Sequence, residues 1–297
     1  MDYVIFTDTS ANLPDKVVRE YGLRLIPFFY CPPEHPEGIP CPGSEEFDGS
    51  AYYNAIRGGA VVTTSQINVH QYVNAMDPVL EAGHDILFVG MSSGISGAYH
   101  SATQAAHILS EQYPERRIRT VDTLSASLGE GLLVIEAAKM RDAGVGLDAV
   151  ADRLNSLRMR MGQIFTVDDL FCLKRGGRLS GAAALLGTAL GIKPILCSNA
   201  QGQILSCAKV RGRRASIQAL ADRYDQLVEK PEQQCIGIAH CDCYPDVQTL
   251  ITLLNRNHPP REIMTVMYEP VTGAHVGPGA LALFFFGNPA SRELAKS

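Results

Sequence analysis

Four short apolar runs in the first half of the chain, residues 4–6, 25–29, 86–89 and 118–121, are each followed by turn-forming or helix-forming sequence. This alternation predicts strands joined by helices, and therefore a mostly parallel sheet. Polar residues stand directly behind two of the runs: Asp8, Thr9 and Ser10 after the first, Asp122, Ser125 and Ser127 after the last. Ligands of open α/β sheets bind at such strand ends. Helical periodicity over 130–143 and 147–159 then leads the chain into a second half. There the pattern predicts a strand at 162–167, a turn at 174–178, and a hairpin over 194–210 turning at Asn199-Ala200-Gln201-Gly202. A helix at 214–228, a strand at 235–239 and a helix at 245–255 follow. Residues 265–287 read as two strands around a Gly/Pro turn. Hairpins among helices predict a mixed second half.

The fold class is therefore α/β, with two α/β domains. Residues 1–158 form the N-terminal α/β domain with its mostly parallel sheet, residues 159–297 a C-terminal mixed α+β sheet domain, and the ligand lies between them. The proline-rich, acidic segment 30–49 reads as an irregular surface loop. The apolar stretch 179–192 is too short to span a bilayer and is closed by Lys193-Pro194, so it reads as a buried helix or a pocket wall.

Composition narrows the partners. A formal charge of −5 with 19% charged residues does not suit a protein whose main partner is a polyanion, which argues against nucleic acid. Eight cysteines in 297 residues do not resemble a secreted disulfide framework, and MDYVIFTDTS lacks a signal-type start. A cytoplasmic protein without a membrane span is expected.

Residues 85–102, DILFVGMSSGISGAYHSA, put a buried-strand pattern before a Ser/Gly loop and then a helix. Ser92, Ser93 and Ser96 thus meet unpaired N–H groups at a helix start, an arrangement that holds a phosphate or carboxylate. Capping of the helix by the same serines is the plainer reading. Thr63, Thr64, Ser65 and Gln66 make a second hydroxyl-rich strand-to-helix turn before a helix from Val69. His275, in the turn Gly273-Ala274-His275-Val276-Gly277-Pro278-Gly279, can donate to an acid headgroup. Two basic clusters, Lys174-Arg175-Gly176-Gly177-Arg178 and Lys209-Val210-Arg211-Gly212-Arg213-Arg214, could grip phosphate or an acidic partner.

Gly90-Met91-Ser92-Ser93-Gly94 also matches a nucleophile elbow. An esterase would then need an acid and a histidine, for which Asp168 or Asp169 with His240 or His275 are available. His240-Cys241-Asp242-Cys243 has the wrong spacing for a closed zinc site and reads as a strand end with buried cysteines, so no metal is expected. There is no convincing Walker A or dinucleotide motif, so the chain does not read as a kinase itself.

Eight segments taken together resemble the DegV family of bacterial fatty-acid-binding proteins. They are TDTSANLP at 7–14, TSQ at 64–66, MSSGISGAYHSA at 91–102, VDTLSASLGEG at 121–131, LKRGGRLS at 173–180, IKPIL at 192–196, KVRGRR at 209–214 and AHVGPGALALFF at 274–285. The resemblance implies one long-chain fatty acid buried between two domains, its carboxylate held by Thr64 and Ser96, with Ser93 as the other candidate and His275 joining them. It implies no cofactor and no turnover by the chain alone. It also implies presentation of the acid to a separate ATP-dependent fatty acid kinase subunit, which makes an acyl phosphate for phospholipid synthesis, with Arg175 and Arg211 near the phosphate or the partner. This chain departs from the family's usual pattern at Ile67-Asn68, Ala98 and His100. A kinase-independent lipid sensor is the remaining alternative.

Overall fold

Buried residues fill nearly all of YVIFTD, which makes β1 (Tyr3–Asp8) a central strand. The structure, a computed structural model, describes residues 3–168, 170–179 and 191–293. After β1 come α1 (Asp15–Glu20), β2 (Arg24–Ile26), β3 (Phe29–Cys31), β4 (Ile39–Pro40), α2 (Gly49–Arg57), β5 (Thr63–Ser65) and α3 (Val69–Glu81). The chain continues through β6 (Asp85–Gly90), α4 (Ala98–Gln112), β7 (Ile118–Asp122), α5 (Leu128–Asp142) and α6 (Leu147–Leu157). The second half holds β8 (Met161–Thr166), α7 (Phe171–Gly176), β9 (Ile192–Ser198), β10 (Ile204–Arg211), α8 (Arg213–Leu227) and β11 (Cys235–His240). It ends with α9 (Tyr244–Asn257), β12 (Glu262–Met267), α10 (Pro270–Val276) and β13 (Leu281–Phe286).

The first sheet has the order β2-β1-β6-β7, and every pairing in it is parallel. One face packs Phe6, Ile86 and Phe88 against Tyr72, Met76 and Leu80 of α3 and Ala102, Ala105 and Leu109 of α4. Asn68 begins α3 with a reciprocal cap, its side chain bonded to Gln71 N while the Gln71 side chain accepts from Asn68 N.

The second sheet, β10-β9-β8-β13-β11-β12, is antiparallel apart from the β11–β12 pair. Its outer face buries Ile164, Ile195, Ile238 and Phe285 beneath Ile217, Leu220 and Tyr224 of α8 and Leu250 and Leu254 of α9. Its inner face turns toward the first sheet. Between the two lies α5, which touches β1 and β6 on one side and β8, β11 and β13 on the other. That position explains its sequence: Leu128, Leu132, Leu133, Val134, Ala137 and Ala138 are buried around the helix, and the solvated polar residues Glu136, Lys139, Arg141 and Asp142 are confined to its C-terminal half. A single apolar cluster runs from Ile5, Leu87 and Val121 to Phe165, Leu196 and Phe284.

Several elements differ from the pattern-based expectation. The run 25–29 is split at Pro27 into β2 and β3, which belong to different sheets, because proline supplies no N–H to continue a ladder. Segment 30–49 is only partly irregular. It supplies β4, and with β3 and β5 it builds a third sheet in the order β4-β3-β5. Residues 63–65 are a strand, not a turn, with Thr64 opposite Tyr30. Residues 270–276 form α10 where a turn was expected. Pro270 is pre-set for a helix start, and Glu269 accepts Val271 N at 2.5 Å and Thr272 N at 2.7 Å. Residues 174–176 belong to α7, which ends at Gly177. Residues 180–190 of the apolar stretch, and Asp169, lie outside the described residues. Among the described residues no helix is long and apolar enough to cross a membrane.

Candidate functional site

Each serine of the loop after β6 has a different neighbour. Ser92 is fully buried and its hydroxyl donates to the Gly202 carbonyl at 2.9 Å, across to the β9–β10 turn. That turn presses so close that a Cβ on Gly94 would meet the Gln201 carbonyl at 2.5 Å, and Gly202 itself has φ +70°. Glycine is the residue that tolerates both demands. Ser93 donates to Asp122 Oδ2 at 2.6 Å, and its N–H bonds the other oxygen at 3.2 Å. Ser96 accepts Ala98 N at 3.2 Å at the start of α4, which leaves its own O–H available.

A pocket open to solvent lies beside this loop, with about 650 Å³ of space between its walls and the solvent. Its walls are mainly apolar, with Phe28, Met91, Phe165, Leu173, Ile204 and Val276 among them. Thr64, from β5, and His275, from the last turn of α10, come together on its lining with Thr64 Oγ1 and His275 Nε2 2.8 Å apart. Ser96 lines the same space. Three candidates from distant parts of the chain therefore share one wall. Ser93 is not on this wall and is held by Asp122.

The imidazole is neutral at pH 7. Burial, then the charges of Arg178 and Arg175, lower the His275 pKa to about 4. A neutral ring has one N–H. With the proton on Nε2, it donates to Thr64 Oγ1, and the threonine proton is free to point into the cavity. Nδ1 faces Gly176, where a Cβ would lie 2.3 Å away, so glycine at this position lets α7 pack on the ring.

Arg178 is the arginine that lines the cavity, its guanidinium donating to the Gly176 carbonyl at 2.5 Å and the Ile95 carbonyl at 3.4 Å. Arg175 is stacked over Phe171 at 5.3 Å and does not line the cavity. Arg211 is exposed at the end of β10 and does not line it either. Further lining residues escaped the sequence reading, Thr272 and Gln163 among them. Thr272, one turn before His275, has a buried hydroxyl oxygen with no hydrogen-bond partner among the described residues. Gln163 stands in an otherwise apolar strand, and only its period-two position facing the first sheet with Met161 and Phe165 could have marked it.

Among the described residues the elbow-like match gains no triad partners. Ser92 has no histidine partner: His275 bonds Thr64, and His240 Nδ1 accepts Cys243 N at 3.3 Å. Asp168 is engaged by Lys193 at 3.0 Å. Cys241 is buried and Cys243 Sγ bonds the Ala280 carbonyl at 3.3 Å. Among the described residues no group of three or more His, Cys, Asp or Glu side chains could hold a metal ion.

The polar residues after β1 and β7 form closed networks. Ser10 Oγ lies 2.6 Å from Asp8 Oδ1 and 2.6 Å from Glu130 Oε2, and Thr7 donates to Glu130 Oε1 at 2.9 Å. One hydroxyl proton cannot serve two carboxylates. Burial, then the charge of Asp8, push the Glu130 carboxyl well above its usual range, so Glu130 keeps its proton and donates to Ser10, which donates to Asp8. Asp8 also accepts Ser10 N at 2.9 Å and Met91 N at 3.1 Å, tying β1 to the serine loop. After β7, buried Arg292 donates to Ser125 Oγ and the Leu124 carbonyl, each at 2.7 Å, and Asn12 donates to Ser127 at 3.2 Å.

The sequence and the fold have known counterparts. A family model described as "Uncharacterised protein, DegV family" matches residues 2–288. A DegV domain-containing protein of Clostridium perfringens is 37% identical over 286 residues, which is 96% of this chain and 98% of that protein. Among solved structures, a fatty-acid-binding DegV family protein of Thermus thermophilus superposes with a TM-score of 0.87 at 27% identity, covering 97% of this chain and 100% of that one. A DegV lipid-binding protein of Thermotoga maritima gives 0.83 at 26% identity, covering 97% and 99%. With its parallel sheet, its mixed sheet and the ordered motifs at their junction, the chain belongs to the DegV family.

Proposed function

We propose that this chain binds one long-chain fatty acid in the cavity beside the serine loop, with the carboxylate at Thr64, Ser96 and His275. The observation that carries this reading is the 2.8 Å contact between Thr64 Oγ1 and His275 Nε2 on the wall of a mostly apolar cavity. A neutral His275 orients the threonine proton outward. Ser96, whose oxygen already accepts Ala98 N, adds a second O–H donor. The carboxylate then sits near the N-terminus of α4, with Arg178 as the nearby cation. The headgroup must be satisfied in this way, because a buried charge without partners costs several kcal/mol. Burial of about fourteen methylenes at roughly 0.8 kcal/mol each gives about 11 kcal/mol before ordering and association costs. That is enough to retain the ligand through purification.

The chain performs no turnover by itself and presents the carboxylate to a separate ATP-dependent kinase subunit. What supports this is a set of hydrogen-bond donors without a nucleophile–base pair among the described residues, together with Arg175 and Arg211 outside the cavity, where a partner or phosphate can reach them. The test is mass spectrometry of lipid extracted from the purified, undenatured protein, followed by reaction with a cognate kinase and ATP. We expect one fatty acid per chain, weaker retention in Thr64→Ala and Ser96→Ala, and retention without efficient phosphorylation in Arg211→Ala. Unchanged retention in both hydroxyl variants removes the headgroup assignment. Tight binding without acyl phosphate assigns the chain to lipid sensing.

A further inference from the structure

Gln163 is 6% exposed and projects from β8 into the cavity, on the same face as Phe165. Its carbonyl is committed, since Oε1 accepts Ala126 N at 3.1 Å and so supports the buried loop after β7. That bond also settles the amide's orientation, because the reversed amide would set two donors against each other. The amide nitrogen, with two N–H donors, then makes no hydrogen bond among the described residues. Of the lining residues, Met91, Ala126, Phe165 and Ile204 offer no side-chain acceptor stronger than a thioether. A plain methylene chain in this cavity would cover the amide N–H groups and give them nothing.

We infer that Gln163 is a specificity determinant that selects an acyl chain carrying an oxygen, a hydroxyl or a keto group, part-way along its length. This rests on the fatty-acid reading above and adds to it a class of ligand. The chemistry is that of any buried amide. Leaving a donor unpaired on binding is penalised, and a ligand oxygen at hydrogen-bond distance removes the penalty, a difference of about tenfold in affinity. The oxygen is placed on the chain and not at its head, since the proposed headgroup donors come from β5, the loop before α4, and α10, whereas Gln163 comes from β8 beside the loop after β7.

The experiment compares binding of octadecanoic acid with a series of monohydroxyoctadecanoic acids, the hydroxyl moved along the chain, to the delipidated protein and to Gln163→Met. We expect the unmodified protein to bind at least one positional isomer about tenfold tighter than octadecanoic acid. Gln163→Met should lose this preference, its affinities for the hydroxy isomers falling to that for octadecanoic acid. Gln163→Leu serves if the methionine variant fails to fold, and the ranking by the unmodified protein decides if both do. Octadecanoic acid binding as tightly as every hydroxy isomer, or an unaltered preference in the variant, overturns the inference and leaves the fatty-acid reading standing. Binding of none of these acids overturns both.

Discussion

Two hydroxyl-bearing clusters face each other across the serine loop, and they differ in what their protons do. In the Asp8–Ser10–Glu130 cluster every donor ends on a partner inside the protein. In the Thr64–Ser96–His275 cluster Thr64 Oγ1 pairs with His275 Nε2, Ser96 Oγ accepts Ala98 N, and all three side chains line a cavity. The residue types are much the same. The difference is that the first is sealed by α5, whereas the second lies where strands and helices leave apolar space. A closed network stabilises the junction of the molecule, and the open one is where we propose that the ligand is held.

This contrast can be broken most forcefully at Ser10. Ser10→Ala separates two buried carboxyls that depend on its hydroxyl, and we expect a loss of about 3 kcal/mol in chemical denaturation. A loss under about 1 kcal/mol would mean that the cluster is not the closed network described.

His275 comes next. Its pKa is lowered from 6.5 to about 4, so between those values the unfolded chain binds a proton that the folded one does not. Stability from this residue is therefore complete above about pH 6.5 and lost as pH falls toward 4. At about 1.4 kcal/mol per pH unit the loss is bounded at about 3 kcal/mol. His275→Gln should flatten that acid limb, measured as the difference in unfolding free energy from the parent protein, and an unchanged limb would contradict a buried neutral imidazole.

Thr64→Ala is expected to sharpen the contrast from the other side. Its stability should lie within about 0.5 kcal/mol of the parent, while fatty-acid affinity falls about tenfold through one lost hydrogen bond. Isothermal titration and thermal melting together read both. Equal damage to folding would place Thr64 with the structural cluster.

The smallest effect, near pH 5, is expected for Glu130→Gln, which keeps a donor toward Ser10 and an acceptor for Thr7. A raised carboxyl pKa makes the parent less stable as pH climbs above the usual value of 4.5, since the unfolded chain ionises and the folded one does not. The variant should match the parent near pH 5 and become the more stable of the two by about pH 8. A parent that gains on the variant with rising pH would show Glu130 to be ionised in the fold.

Much of this molecule is readable along the chain. The apolar runs at 4–6, 86–89 and 118–121 became β1, β6 and β7, and the hairpin turning at Asn199-Ala200-Gln201-Gly202 became β9 and β10, because periodic burial is a local property. The misread pieces had local signals overruled by distant ones. Thr63-Thr64-Ser65 read as a strand-to-helix turn, and pairing with β3 made it a strand. The glycines of 273–279 suggested a turn, and the Glu269 cap with Pro270 made its first half a helix.

By itself the sequence determined the class of fold, the motifs in their order, and the small group of hydroxyls and imidazoles from which a headgroup site could be drawn. Only the tertiary structure decided which of those groups are spent and which are free. A hydroxyl's availability depends on its partner, and the partners lie far along the chain: Gly202 for Ser92, 110 residues away, Glu130 for Ser10 at 120, His275 for Thr64 at 211. Hydrogen bonds are satisfied in space, over a few ångströms, and a one-dimensional pattern carries no record of that distance.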